Sequence, residues 1–180
     1  DYVRLKSWNV DLDGLIPVKT NGLALANEAM DEIEQEIEKT IFDRTSIANI
    51  PNGQITRGII ISEGTALGAF GSTDDPNGCG HVSEGIGTTA YPVADFNYQY
   101  DDETGDFIGY SQEGGWYDST GNINTVLYVH IGATACQNAI DRDLVVHEFG
   151  HALGMGAHFN GFGFGPAVDG NFWNVLHAMY

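Results

Sequence analysis

The chain has 180 residues, 42% of them hydrophobic, and its 25 acidic residues against 7 basic ones give a net charge of −18. The length fits one domain, and the apolar content is too high for a disordered protein. The scarcity of Lys and Arg argues against nucleic acid and anionic membranes as partners, because these side chains contact phosphates. No apolar run nears the roughly 18 residues of a membrane-spanning helix, so the sequence predicts a soluble protein, which we expect to be a monomer.

Three elements are predicted in the first 63 residues. Residues 2–12 alternate as a strand does, and residues 57–63 form a short buried strand rich in β-branched side chains. Residues 22–42 form an amphipathic helix, with Thr20 or Asn21 as its cap. The helix is indicated by apolar residues at every fourth position, namely Leu25, Ala29, Ile33, Ile37 and Ile41.

A region rich in glycine and aspartate follows. Short strands are predicted near residues 82–84, 90–100 and 107–111, joined by turns. Residues 124–131 give the clearest strand pattern in the chain.

Residues 141–153 form the second long helix. Asp141 or Asp143 opens it, and Gly154 and Gly156 close it. The chain beyond residue 154 is expected to be mostly loop. This order of elements predicts an α+β domain with a twisted mixed β-sheet backed by two long helices.

Two cysteines, Cys79 and Cys136, lie in small, polar surroundings. They favour a disulfide formed in an oxidising compartment over two free thiols. The chain opens at Asp1 with neither an initiator Met nor a basic-then-apolar leader, which is typical of a processed or trimmed product. We therefore expect a secreted or extracellular protein. The periplasm and the cell surface are the alternative locations.

The second helix contains His147-Glu148-Phe149-Gly150-His151, a match to His-Glu-x-x-His. Residues four apart share one helix face, so the imidazoles of His147 and His151 can reach one metal ion. Glu148 is rotated by about 100° from His147 and is placed to take a proton from a zinc-bound water. A chance match is the alternative, but the position within an amphipathic helix and the glycines that follow favour a metal site.

His147-Glu148-x-x-His151-x-x-Gly154, followed by a histidine and later a methionine, resembles the metzincin clan of zinc endopeptidases. The resemblance implies one catalytic domain over residues 1–180, with an N-terminal lobe to residue 154 and a small irregular C-terminal lobe from residue 155. It also implies a third histidine ligand beyond the glycine. A methionine turn would pass beneath the metal, formed here by Met179. The motif covers residues 147–180, and before residue 141 only the order of elements is similar.

The sequence departs from the clan pattern at the third ligand. The clan's histidine stands three residues after the glycine, but this chain has alanine there, and His158 follows one residue later. Gly156 can absorb an inserted residue because glycine adopts backbone angles that other residues cannot. We therefore predict His158 as the third ligand, with Asp169 and His177 as the alternatives.

The segment that would form the methionine turn also departs from the pattern. Tyr180 directly follows Met179, as in matrixin-like turns, and we assign its hydroxyl no role at the metal. The chain stops before the helix that usually follows, so the natural protein is expected to be longer. No glutamate occurs after Glu148, which excludes a downstream glutamate ligand.

Several weaker signals have two readings each. Asp101–Asp106 gathers oxygen donors as a Ca²⁺ loop does, but a hairpin turn accounts for it better. His81 and His130 lie outside any ligand spacing, and His130 is expected to be a hydrogen-bonded core or edge residue. The aromatic and glycine-rich residues 159–172 either line a pocket beside the scissile bond or pack the C-terminal lobe.

Together these observations predict a secreted metalloendopeptidase that holds one catalytic zinc ion on His147, His151 and His158. Glu148 is its general base, and its substrate is a protein or peptide lying along an edge strand of the sheet. Two alternatives remain. One is a non-catalytic binding or adhesin domain with a structural zinc, saturated by Asp169 or His177. The other is a zinc amidase acting on cell-wall peptides.

Overall fold

A mostly parallel five-stranded sheet lies at the centre of the fold. Over the described residues the chain forms a mixed α/β structure with four helices. The predicted combination of a mixed sheet with helices is confirmed at this level. The computed structural model describes residues 6–64, 79–83, 95–100, 107–113, 120–132, 140–156 and 158–180, with the backbone alone for 95–100 and 107–113.

The strands of the described ranges fall into one large and two small sheets. In chain order they are β1 (Ile16–Lys19), β2 (Phe42–Asp43), β3 (Gly58–Glu63), β4 (Gly80–Ser83), β5 (Asp95–Tyr100), β6 (Phe107–Glu113), β7 (Val126–Ile131), β8 (Phe159–Asn160) and β9 (Gly163–Phe164). The central sheet has the order β2-β1-β3-β7-β4. Its neighbours run parallel except β4, which pairs antiparallel with β7 at one edge. β5 pairs with β6, and β8 with β9.

Two long helices pack beside this sheet. The helices of the described part are α1 (Val10–Asp13), α2 (Ala24–Glu36), α3 (Arg142–Ala152) and α4 (Gly170–Met179). α3 contacts α2, β4 and β7, so it lies beside the antiparallel edge of the sheet. Within the described residues, every helix is too short or too polar to cross a bilayer.

The central sheet buries different side chains on its two faces, as the alternation of a strand requires. Ile59 and Ile61 of β3 belong to the main hydrophobic cluster, whereas Ile60 belongs to a smaller cluster with other partners. The main cluster also contains Phe149 of α3 and Phe172 of α4. The segments 6–154 and 155–180 therefore share one core.

The strand predicted at residues 2–12 is wrong over the described residues of that range. Val10–Asp13 is a single helical turn, and the side chain of Asn9 accepts a hydrogen bond from the backbone N–H of Leu12. Ser7 makes only an isolated bridge to Asn122. The first strand of the sheet, β1, comes instead at Ile16–Lys19, where the sequence indicates no element.

The predicted helix 22–42 begins later and ends earlier in the structure. α2 stops at Glu36, and Phe42–Asp43 is strand β2. The residue before α2 is Leu23, which makes no capping side-chain bond, so the expected cap by Thr20 or Asn21 is wrong. The side chain of Asn21 donates instead to the carbonyl of Ile61.

The loop expected after residue 154 contains a helix of ten residues, α4. The side chain of Asp169 caps it by accepting from the backbone N–H of Asn171 at 2.7 Å. Phe172 and Leu176 of α4 are fully buried in the core. Met179 is therefore the last residue of a helix, where a turn was expected.

The remaining elements follow the predictions. The strands predicted at 57–63 and 124–131 are β3 and β7, and the helix predicted at 141–153 is α3, opened by Asp141. The shorter strands at 82–84, 90–100 and 107–111 correspond to β4, β5 and β6. The acidic segment Asp101–Asp106 and Cys136 lie outside the described residues. Cys79 is buried, and its disulfide with Cys136 stays a prediction.

Candidate metal centre

Helix α3 presents the motif residues next to the core. The side chain of Asp141 accepts from the backbone N–H of Leu144 at 2.9 Å and fixes the start of the helix. Gly150 lets the helix approach the aromatic side chains below it, because a Cβ there would lie 2.6 Å from the Phe172 ring and 3.0 Å from the Phe162 ring. Four residues separate His147 from His151, so both imidazoles leave the same face of α3.

Three imidazoles converge on one point. Nε2 of His158 lies 3.1 Å from Nε2 of His147 and 3.2 Å from Nε2 of His151. Within the described residues, these three histidines are the group whose donor atoms are placed to share a metal ion. His147 is buried, His151 is half-buried and His158 is exposed. The three predicted ligands therefore lie together in the structure. Solvent reaches them from the side of His158.

The other ring nitrogen of the two helix histidines contacts a backbone carbonyl. Nδ1 of His147 lies 2.9 Å from the carbonyl oxygen of Ala167, and Nδ1 of His151 lies 2.7 Å from that of Met155. A carbonyl only accepts, so each Nδ1 carries the hydrogen and each Nε2 presents a lone pair. Metal-ligating histidines typically donate their other ring N–H to a carbonyl or carboxylate in this way.

The three nitrogens fit a zinc ion. Nε2 of His158 carries at most one hydrogen, so it can bond only one of the two lone pairs that face it. A cation between the rings would satisfy all three nitrogens at once. In tetrahedral zinc sites, with Zn–N bonds of about 2.0–2.1 Å, two nitrogen ligands lie about 3.3 Å apart. The separations of 3.1 and 3.2 Å match this spacing.

The surroundings keep these imidazoles neutral, as metal ligation requires. Burial, and to a lesser extent His158, lowers the pKa of His147 to about 4, although the bond to Ala167 opposes this shift. Burial and the neighbouring His147 lower the pKa of His151 to about 3. Burial also lowers the pKa of His158.

Glu148 lies beside the histidines with its carboxyl group enclosed. Its side chain is 3% exposed, and Oε2 has no hydrogen-bond partner among the described residues. Burial raises the pKa of this carboxyl to about 8. An enclosed carboxyl group next to a convergent set of ligands is typical of a catalytic site, where burial shifts the pKa of acids and bases.

Gly80 is a site residue that the sequence did not reveal. It begins the edge strand β4, and a Cβ at this position would lie 2.5 Å from Oε1 and 2.6 Å from Cγ of Glu148. Only a residue without a side chain allows the carboxyl group to stay where it is. The contact arises because α3 lies against β4, whose residues are about 70 positions earlier in the chain, so no local pattern indicates it.

Phe162 forms an apolar base under all three histidines. Its ring centroid lies 4.3 Å from that of His147, 4.7 Å from that of His151 and 5.6 Å from that of His158. Phe162 is fully buried, and its ring also contacts Phe172. This part of residues 159–172 therefore packs the core, as one of the two readings expected.

Phe164 differs from its neighbours in the same segment. It is 61% exposed, and its ring centroid lies 5.9 Å from that of His158. An exposed aromatic side chain at this distance is available to a bound molecule. The segment 159–172 thus combines buried packing residues with one exposed ring beside the candidate centre.

The other candidate residues lie apart from the three histidines. Asp169 caps α4, and His177 is exposed in the last turn of that helix. A Cβ on Gly154 would lie 3.1 Å from the terminal methyl of Met179, so this methionine packs at the end of α3. Its support of the metal stays a prediction.

His81 and His130 form a separate pair on β4 and β7. They are opposite each other in the antiparallel register, and their rings stack with centroids 4.3 Å apart. His130 is buried, and its Nε2 lies 2.8 Å from Oγ of Ser83, which confirms the expected hydrogen-bonded core residue. Burial and His130 lower the pKa of His81 to about 4.

Comparison with protein-family models, with curated proteins and with solved structures finds no match for this chain.

Proposed function

We propose that the chain is a zinc-dependent metalloendopeptidase whose zinc ligands are His147, His151 and His158 and whose general base is Glu148. The observation that carries the proposal is the convergence of three imidazole nitrogens beside an enclosed carboxyl group. Three histidines alone, or an enclosed carboxyl group alone, can have a purely structural role, whereas zinc-dependent hydrolysis of a peptide bond uses both within one site.

The residues of the site have separate roles in the proposed reaction. A zinc ion held by His147, His151 and His158 would supply Lewis acidity towards a carbonyl oxygen and water. The charge of a bound zinc ion would favour the ionised form of Glu148, which would take the proton of the attacking water and pass it to the leaving amine. Gly80 keeps the carboxyl group in position, and the carbonyls of Ala167 and Met155 orient two of the rings.

The number of protein ligands favours a hydrolase over a structural zinc domain. Structural zinc sites are saturated by four protein ligands, whereas catalytic sites keep a position for water. Among the described residues the donor group consists of three histidines. Asp169 is engaged as the cap of α4, which makes it unsuited to be the fourth ligand.

Several features of the fold support a metzincin-like enzyme within this proposal. The active helix is followed by Gly154 at φ +121°, the third histidine lies beyond it, and the sheet has an antiparallel edge strand beside α3. An extended peptide can pair with that edge strand, β4, by main-chain hydrogen bonds. We propose secreted proteins or peptides as the substrates and an extracellular location for the enzyme.

Hydrolysis of casein tests the proposal directly. Wild-type protein loaded with zinc should cleave casein, and Glu148→Gln should lower the rate by about 10²- to 10⁴-fold, the usual contribution of general acid–base catalysis, while keeping its zinc. Glu28→Gln, an exposed position on α2, is the matched control. Full activity in Glu148→Gln would overturn the mechanism. Cleavage of cell-wall peptides but not of casein would assign the amidase alternative.

A further inference from the structure

The C-terminal end of α3 is held by two aromatic side chains from distant parts of the chain. The indole N–H of Trp8 donates to the carbonyl of Ala152 at 2.8 Å, and the hydroxyl of Tyr180 donates to the carbonyl of Leu153 at 2.7 Å. The backbone N–H of Trp8 in turn donates to the Tyr180 hydroxyl at 3.1 Å. We call these two residues and their three hydrogen bonds the aromatic clasp.

The clasp satisfies carbonyls that the helix leaves open. The last carbonyls of a helix have no intrahelical partner. Here the carbonyls of Phe149, Gly150 and His151 accept from the backbone N–H groups of Leu153, Met155 and Gly154. The next two carbonyls, those of Ala152 and Leu153, are the ones that the clasp takes. Each backbone carbonyl from Phe149 to Leu153 therefore has a hydrogen-bond partner.

This turn positions a ligand of the candidate metal centre. It leads to Met155, whose carbonyl accepts from Nδ1 of His151 at 2.7 Å. His158 follows three residues later, and its Nε2 lies 3.2 Å from that of His151. A shift of the turn would move the carbonyl that selects the His151 tautomer and would also move the approach to His158.

The clasp residues lie next to buried and hydrogen-bonded parts of the molecule. Trp8 is fully buried, and the preceding Ser7 exchanges backbone hydrogen bonds with Gly121 and Ile123, just before β7. Gly154, at φ +121°, lies so close to the carbonyl of Lys6 that a Cβ there would collide with it. The N-terminal segment is thus in direct contact with the turn that it holds.

We propose that Trp8 and Tyr180 are positioning residues that act on His151 through the turn at 152–155, and through it set the geometry of the metal centre. The effect on the His151 ring follows from the hydrogen bonds alone. The effect on metal affinity rests on the proposed zinc site.

Conservative substitutions separate the hydrogen bonds from the packing. Trp8→Phe removes the indole N–H that reaches Ala152, and Tyr180→Phe removes the hydroxyl that reaches Leu153. Trp173→Phe and Tyr128→Phe remove the same groups elsewhere in the protein and serve as matched controls. Circular dichroism and thermal melting identify which variants are folded.

Two readouts report on the centre. Long-range ¹H–¹⁵N spectra of the imidazoles in the metal-free protein should show His151 with its hydrogen on Nδ1 in wild type, and a mixture of tautomers in Trp8→Phe and Tyr180→Phe. Titration with Co²⁺, followed by visible absorbance, should show an altered spectrum and weaker binding in the clasp variants, by at most the about 10- to 100-fold that follows loss of a ligand's own hydrogen-bond partner. The control variants should match wild type in both.

The outcomes distinguish this inference from the proposed function. Folded clasp variants with an unchanged His151 tautomer and unchanged Co²⁺ binding would overturn the positioning role, even if their melting temperature fell. The opposite result has two parts: wild-type protein takes up no Co²⁺, and both clasp variants lose the His151 tautomer seen in wild type. It would overturn the zinc proposal and support the positioning role of the clasp.

Discussion

His158 joins the candidate centre from outside the helix, and Gly163 makes room for its ring. Its ring lies against Gly163, where a Cβ would be 2.6 Å from the ring carbon Cδ2, and Gly163 has φ +80°. A larger residue there would be strained and would also displace the ligand. Gly163 is thus required for the position of the His158 ring.

Gly80 lies against the carboxyl group of Glu148, and its substitution tests whether this contact matters for catalysis. Gly80→Ala should lower kcat by about 10- to 100-fold, because the new methyl group would push the Glu148 carboxyl group out of place, and a displacement near 1 Å costs on this order. Steady-state kinetics on a peptide substrate measures the change. Gly53→Ala is the control, since a Cβ at Gly53 meets nothing within 4 Å. An unchanged kcat in Gly80→Ala would show that the carboxyl group has another resting position.

At the scale of elements, the capping of α4 explains why Asp169 lies apart from the three histidines. Asp169→Ala should lower the free energy of unfolding by about 1 kcal/mol, because the cap on the N–H of Asn171 is lost, while zinc binding stays as in wild type. Asp169→Asn keeps a capping oxygen and should have little effect on either quantity. Urea denaturation and zinc titration measure both. Loss of zinc from a folded Asp169→Asn variant would instead make Asp169 a ligand.

The sequence predicted those elements whose signals are local. The apolar runs of β3 and β7 and the cap and glycine stop of α3 are such signals. The length of α2 was overestimated because Ile37 and Ile41 continue its apolar spacing and are buried, although the helix has ended. The side chain of Glu34 accepts hydrogen bonds from the backbone N–H groups of Ile41 and Phe42, which lie beyond the end of α2. The apolar spacing does not reveal this contact.

In the candidate site, too, local sequence signals were predictable and tertiary contacts were not. His147 and His151 were predictable because a helix fixes their spacing. His158 was expected only from the resemblance to the metzincin pattern, which has a third histidine beyond the glycine. Gly80 and Phe162 were not predictable as site residues, since their roles come from α3 packing on β4 and on the aromatic base. Only the tertiary structure brings those segments together.

For the whole molecule, buried neutral histidines make stability depend on pH. Burial and His130 lower the pKa of His81 to about 4 in the folded state, whereas about 6.5 is expected when unfolded. Between these values the unfolded chain binds the proton and the folded chain does not. The stability that His81 contributes is therefore full above about pH 6.5 and declines as the pH falls towards 4.

His81→Gln should flatten this dependence. In EDTA, the free energy of unfolding of the variant should fall less steeply between pH 6.5 and 4 than that of wild type, because one protonating group is lost from the unfolded state. Urea denaturation at a series of pH values measures the slope. His177→Gln, at an exposed position, is the control. Parallel curves for wild type and His81→Gln would contradict a depressed pKa at His81.

The most direct test of the account is the zinc content of the purified chain by elemental analysis, with wild type, His158→Ala and the exposed control His177→Ala dialysed side by side. The account predicts about one zinc per chain in wild type and in His177→Ala, and a large loss of zinc from a folded His158→Ala variant, because a ligand is removed. Full zinc content in His158→Ala, or no zinc in wild type after zinc loading, would contradict a centre built from these three histidines.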